Sequence, residues 1–538
     1  MSRRRPCPPV RLRVPAMLVI AAAFVWGCVE RTEADFPGVS EITVAEIQAG
    51  NAADPDFTVA LGEATLAQVL AHEERYNAFV SLNPELVEQA RSLAREYAEF
   101  GARGPLHGVP VAVKDNIDVA GMVTTVGFDG FSAAAGGVDM VPERDATVVA
   151  RLKAAGALVV GKTNLPDFAG HGTRTRSSVA GTTLNPYDTT KAPGGSSGGT
   201  ATAVNASFAV VGLGTETGGS IQNPAAAQGL VGVKPTQGLI PIDGIFPLSA
   251  YYVDVVGPLT RSVSDAAIMM DVISGDSSYG ERLESAAAEP PSLVGIRFGL
   301  VGEGWRDDWL PLDPSTEDEY RKAIAVLEQL GAETVETPFA GSGFKELYSE
   351  RPRVNTFVHD IAGYMRGLGE RAPFDRVEEW EELSGRDLPR ARGDTADPGE
   401  TDAGRAFERW RTEILQAFRD TFDRHDLDGL FFPQAGAPSR DLVEDPERPD
   451  HNPNNWPELP SNIVNDMGLP TVAMPASHYP NGLPFAVAFI GEPGSDGALL
   501  EWAFALERAT QARVPPALAP VDTVASADPA SSPSPARE

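Results

Sequence analysis

Cysteine is almost missing from this chain. Only two of its 538 residues, Cys7 and Cys28, are cysteines, and both lie within the first 28 positions. That excludes a disulfide framework, a cysteine-rich metal site and a cysteine nucleophile in the folded body. No H-E-x-x-H spacing occurs either, so no metal-ligand pattern stands out. Positive charge is scarce: 44 Lys and Arg face 75 Asp and Glu, a formal net charge of −31. Such a surface repels phosphate backbones and polyanionic substrates, which argues against a nucleic-acid partner. Beyond the amino terminus no stretch of about 18 uninterrupted apolar residues occurs, so nothing in the body reads as a membrane span. What is present is ordinary for a globular enzyme, with 42% apolar residues and 22% charged. The acid excess reads as a solvated skin.

The amino terminus reads as an address. Arg3, Arg4, Arg5, Arg11 and Arg13 form a basic segment, and Val14 to Trp26 is an apolar run too short to span a bilayer comfortably. Gly27-Cys28 follows, so residues 1–27 resemble a bacterial lipoprotein signal cut before Cys28, which would carry the lipid. A plain secretion signal or an uncleaved anchor are the alternatives. Cleavage would remove five positive charges and take the net charge from −31 to −36. The expected location is therefore outside a bacterial cytoplasm, periplasmic or on the cell envelope, with membrane contact only through that anchor.

Residues 28–60, rich in Asp, Glu, Gly and Pro, read as a tether leading into the first helices. Leu61 to Val80 and Pro84 to Phe100 carry apolar residues at helical spacing. Val109 to Val113 reads as a strand ending at Lys114. Asp145 to Ala155 is expected to be helical, Leu158 to Val160 a buried strand, and Gly198 to Ser207 a small-residue helix feeding strand Phe208 to Leu213. Further strands are expected near 296–301, 428–432, 470–474 and 485–490, and helices near 262–274, 315–331, 403–424 and 495–511. This alternation predicts an α/β sheet covered by helices in one large domain over 61–513. Residues 386–402 read as a surface excursion, and 514–538, rich in Pro, Ala and Ser, as a disordered tail.

Two motifs point elsewhere on inspection. Gly156 to Thr163 fits G-x4-G-K-[ST], but a phosphate-binding loop needs loop residues between its glycines. Ala157-Leu-Val-Val160 favours a strand ending in a turn. Gly194-Gly-Ser196-Ser-Gly198 fits G-x-S-x-G, yet a nucleophile elbow must leave a strand, and Asn185 to Pro193 is a breaker-rich loop. His359, His425, His451 and His478 sit in no suggestive setting for a triad.

The chemistry concentrates in residues 193–243, PGGSSGGTATAVNASFAVVGLGTETGGSIQNPAAAQGLVGVKPTQGLIPID. Two glycine-serine turns bracket a helix and a strand. Thr217-Gly218-Gly219-Ser220 can present successive backbone N–H groups to a developing oxyanion without Cβ obstruction. A serine nucleophile needs a base, and no histidine is local. A lysine serves if desolvation leaves it neutral near pH 7, and Lys114 stands at the end of an apolar strand.

Residues 193–243 closely resemble the signature stretch of the amidase signature family, with its GGSSGG, GT[DE]TGGSI and G-x-KPT blocks. The resemblance extends through Leu106 to Ile117, Ala155 to Leu165, Gly257 to Ser262, Gly468-Leu-Pro-Thr and Gly482-Leu-Pro-Phe, roughly residues 60–512. It implies the family's fold, a central twisted mixed β-sheet with helices on both sides. It also implies a triad of Ser220 as nucleophile, Ser196 after a cis peptide as proton relay and Lys114 as neutral base. The backbones of Thr217, Gly218, Gly219 and Ser220 would form the oxyanion hole, with Ser197 supporting. Glu216 stands where Asp is usual and Gln222 where Arg is usual, so a carboxylate–amide hydrogen bond would replace an ion pair. This Glu form resembles the family's peptide amidases. No cofactor or metal is implied.

The resemblance implies hydrolysis of carbon–nitrogen amide bonds through an acyl-enzyme, with small neutral or cationic amides as the expected substrates. Peptide-amide, aryl-amide, carbamate or ester hydrolysis on the same fold is the alternative. A histidine-dependent esterase and a non-catalytic lipoprotein are the readings outside it. The branch supplying ammonia for glutaminyl-tRNA is disfavoured by the net charge of −31 and the leader. Substrate contacts are expected from irregular segments such as Phe168–Thr173 and 345–365.

Overall fold

The computed structural model describes residues 38–370, 372–390, 395–442 and 456–518. The leader 1–27, Cys28 and residues 519–538 of the tail lie outside the described residues.

The strands in chain order are β1 (Phe79–Leu82), β2 (Pro110–Lys114), β3 (Leu158–Thr163), β4 (Arg176–Ser177), β5 (Gly181–Thr182), β6 (Val211–Glu216) and β7 (Val231–Lys234). They continue with β8 (Val255–Thr260), β9 (Arg297–Leu300), β10 (Glu333–Val335), β11 (Gly429–Pro433), β12 (Thr471–His478) and β13 (Pro484–Ile490). Eleven of them form one mixed sheet in the order β1-β3-β2-β6-β8-β7-β12-β13-β11-β9-β10, while β4 and β5 form a small hairpin. Helices flank the sheet, so the expected α/β architecture is the one observed.

β2 lies parallel between β3 and β6, and all five of its residues are buried. A strand covered on both faces needs a continuous apolar run rather than alternation, which is what Pro110-Val-Ala-Val supplies. Lys114 ends that run and is carried into the interior with it. A second cluster, rich in aromatics, packs Phe128, Phe131, Phe168, Phe246, Phe357 and Trp380 together.

Several boundaries differ from the sequence reading. The first long helix spans Phe57–Tyr76 and stops where Asn77 takes a left-handed conformation, so Phe79 and Val80 become the edge strand β1. Within the stretch read as a tether, Val44–Ala53 is a helix closed by a capping box between Thr43 and Glu46, with Val44 and Ile47 fully buried. Its apolar residues are too few to show against the polar composition, but their three-residue spacing puts both on one face. Residues 514–518 run largely exposed but are attached at two points: the Tyr187 hydroxyl donates to Val514 O, 2.5 Å away, and Leu518 rests against the cluster around Tyr76 and Phe208. The excursion at 386–402 is anchored by buried Leu388 and Pro398.

Candidate active site

Three segments converge at the carboxyl ends of β2 and β6. Lys114, fully enclosed, points its Nζ at Ser196 Oγ (2.8 Å), Thr215 Oγ1 (2.9 Å) and Thr215 O (3.1 Å). Burial brings its ammonium down to about 7 from the usual 10.5, while the charges of Glu216 and Asp254 pull the other way. A neutral amine has two N–H groups and one lone pair. The two oxygens of Thr215 take the donors, and the lone pair is left to accept the Ser196 hydroxyl proton. Asn116 Nδ2 donates to Thr215 Oγ1 at 3.0 Å and fixes that side chain.

Ser196 is completely buried and follows a cis peptide at Gly195, as the resemblance implies. It emerges from the loop at 183–195, not from a strand, and its hydroxyl partner is a lysine rather than a histidine. An α/β-hydrolase elbow is therefore not what this G-x-S-x-G forms. Ser197 stands at the start of helix Gly198–Asn205, donating from Oγ to Thr215 O (3.2 Å) and from its main-chain N–H to Ser220 O (3.2 Å). These two bonds tie the first glycine-serine turn to β6 and to the second turn.

Ser220 lies just beyond β6 and is 8% exposed. Its hydroxyl donates to none of the described residues, so Lys114 and Ser196 are joined while the link from Ser196 to Ser220 is not closed in this geometry. Unliganded sites commonly hold such bonds long until substrate compresses them. The main-chain N–H groups of Gly218, Gly219 and Ser220 likewise have no partner among the described residues. Gly219 sits at φ +110°, and a Cβ there would lie 2.5 Å from both Asn223 Nδ2 and Ser461 Oγ. Only glycine lets the chain pass this close. Thr217, the first residue of this loop, donates from Oγ1 to Asp254 Oδ1 at 2.6 Å.

Behind the loop, the Glu216 carboxylate accepts from the N–H groups of Ile221 (2.7 Å) and Gln222 (3.1 Å), from the Gln222 side-chain amide, and from Asn465 Nδ2 (2.9 Å). The carboxylate–amide bond expected in place of an ion pair is present, and Asn465 adds a partner the sequence did not reveal. Asn116, Thr215 and Asp254 were also missed as site residues, although Asn116 and Thr215 lie inside the motif blocks. Glu458 was missed outright; its Oε1 lies 3.0 Å from where a Gly172 side chain would begin, and Asn223 Nδ2 lies 3.3 Å from the same point.

The remaining expectations divide. Gly161, Lys162 and Thr163 are strand, not a strand-end turn; Lys162 is fully buried, 3.0 Å from Asp115 Oδ1 and bonded to Thr124 Oγ1. A lysine committed in this way cannot cradle phosphate. The segment 345–365 is largely helical, in Phe344–Ser349 and Phe357–Gly367, rather than irregular. Phe168 is buried among the aromatics.

The Amidase family model matches residues 60–500. A glutamyl-tRNA(Gln) amidotransferase subunit from Symbiobacterium thermophilum is 34% identical over 482 residues, covering 84% of this chain and 93% of that protein. The native peptide amidase of Stenotrophomonas maltophilia superimposes with a TM-score of 0.70 at 31% identity, covering 89% of this chain and 99% of that one. A 6-aminohexanoate cyclic dimer hydrolase superimposes with a TM-score of 0.70 at 25% identity, over 88% of this chain and 98% of its own. With a family model spanning most of its length and relatives matched over 93% or more of their own length, the chain belongs to the amidase signature family, whose enzymes act on amide carbon–nitrogen bonds.

Proposed function

We propose that this enzyme hydrolyses small neutral or cationic amides through an acyl-enzyme on Ser220. The observation that carries the reading is the enclosed Lys114 amine 2.8 Å from Ser196 Oγ, with its other two neighbours both acceptors. Ser220 Oγ attacks the amide carbonyl carbon and its proton passes through Ser196 to Lys114. Charge develops on the carbonyl oxygen, where the free N–H groups of Gly218, Gly219 and Ser220 receive it; one such donor contributes about 2.7–4 kcal/mol. As the C–N bond breaks, the proton returns through Ser196 to the leaving nitrogen. Water then attacks the acyl-enzyme by the same route, releasing the acid and restoring Ser220.

Glu458 supports a preference for a cationic group. Its half-buried carboxyl is pushed up to about 7 by burial, and lies near Gly172 and Asn223 beside the oxyanion loop. A second reading, glutamine hydrolysis for ammonia supply, draws on the Symbiobacterium relative, an amidotransferase component named for glutamyl-tRNA(Gln). The basic, then apolar, leader ending at Cys28 supports export with lipid attachment, which Cys28→Ser and cell fractionation address.

A panel of free amide, anilide, peptide amide, ester and glutamine substrates, run on the wild type and on Ser220→Ala, tests the reading. Turnover of amides that Ser220→Ala abolishes, with labelling of Ser220 by a fluorophosphonate, is the expected result. Undiminished turnover by Ser220→Ala would overturn it, and glutamine as the one good substrate would favour the second reading.

A further inference from the structure

Asp254 lies outside the triad and outside the motif blocks, yet it is built into the site from the opposite strand. β8 runs antiparallel to β6 with Val255 opposite Glu216, which brings Asp254 alongside the first residue of the oxyanion loop. Its Oδ1 accepts from Thr217 Oγ1 at 2.6 Å, and its Oδ2 accepts from the N–H groups of Leu248 (2.8 Å) and Ser249 (2.9 Å). The carboxylate is buried, and no cation pairs with it among the described residues. Three donors converge on this one enclosed carboxyl group, which ties the first residue of the oxyanion loop to the chain at 248–249.

We propose that Asp254 is a positioning residue for amide hydrolysis, fixing the oxyanion loop through Thr217. The inference rests on the reading of Ser220, Ser196 and Lys114 given above. Burial, and Asp360 facing it from helix Phe357–Gly367, push the Asp254 carboxyl above the usual carboxylate range, while the bonds from Thr217, Leu248 and Ser249 oppose that rise.

The test compares Asp254→Asn, Thr217→Val, Thr217→Ser and Ser220→Ala in full-length enzyme, following anilide hydrolysis from pH 5 to 9. Thr217→Val is expected to lower kcat about tenfold with KM unchanged and the acid limb of kcat/KM in place, with Thr217→Ser restoring the rate. Asp254→Asn, which turns an amide N–H₂ toward the N–H groups of Leu248 and Ser249, is expected to lower kcat at least as far, again with KM unchanged. A well-folded Asp254→Asn with wild-type kcat overturns the inference, and so does Thr217→Val with unchanged kcat, which needs no Asp254 variant to fold. Activity surviving in Ser220→Ala would instead strike at the triad, so the two failures are separable.

Discussion

Replacing Lys114 by methionine isolates what it costs to bury an amine. Burial lowers this group from 10.5 to about 7, and each tenfold change in proton affinity is about 1.4 kcal/mol. The unfolded chain binds the proton below 10.5, whereas the folded enzyme binds it only below about 7. Between those values the unfolded state holds more protons, so lowering the pH through this window destabilises the fold. At pH 7 the penalty reaches about 4 to 5 kcal/mol, and below that it levels off because both states are protonated. Methionine removes the penalty but leaves Ser196 Oγ without its partner, which costs about 1–3 kcal/mol, while the two Thr215 oxygens keep their bonds from Asn116 and Ser197. The variant should therefore be the more stable of the two at pH 7. Their difference should move in favour of Lys114→Met by about 2 kcal/mol between pH 9 and pH 7. Urea unfolding followed by tryptophan fluorescence at several pH values measures this, alongside complete loss of amide hydrolysis in the variant. Parallel stability profiles over that range would show that the amine does not titrate there, and the argument for a neutral base would fail.

Three further outcomes follow from the same geometry. Glu216→Gln turns an amide N–H₂ toward N–H donors, so it should lose about 1–3 kcal/mol of stability and shift the acid limb of kcat/KM downward; an unmoved limb would count against a field from Glu216 on Lys114. Gly218→Ala would drive a methyl into Asn462 Oδ1, and steady-state kinetics should show kcat reduced about tenfold with little change in KM. Glu458→Gln should raise KM about tenfold for an amide bearing a cationic group and leave a neutral analogue unaffected above pH 7, where the wild-type carboxyl is charged; equal effects on both substrates would remove it as a selective contact.

Much of this molecule is written locally. The apolar run into Lys114 marks a doubly covered strand, and the glycine-serine turns at 194–199 and 218–220 mark the places where backbone must approach a reacting atom. Their order and spacing carried the family resemblance as well. Even the departure at Glu216 and Gln222 is legible as a carboxylate–amide bond without any distance, because the two residue types allow little else.

What the chain order could not supply is the company these residues keep. Asp254, Asn465 and Glu458 lie 38, 249 and 242 positions from Glu216, in segments whose composition says nothing of catalysis. Antiparallel pairing of β6 with β8 delivers Asp254 to Thr217, and helix Ile463–Met467 delivers Asn465 to Glu216. Likewise G-x4-G-K-T resembles a phosphate loop until Lys162 is found enclosed against Asp115, two strands deep in the sheet. Residue type limits which bonds a side chain can make, and short-range pattern settles helix or strand. Which donor meets which acceptor, and how far a buried amine is stripped of water, are properties of packing between segments that only the folded chain brings together.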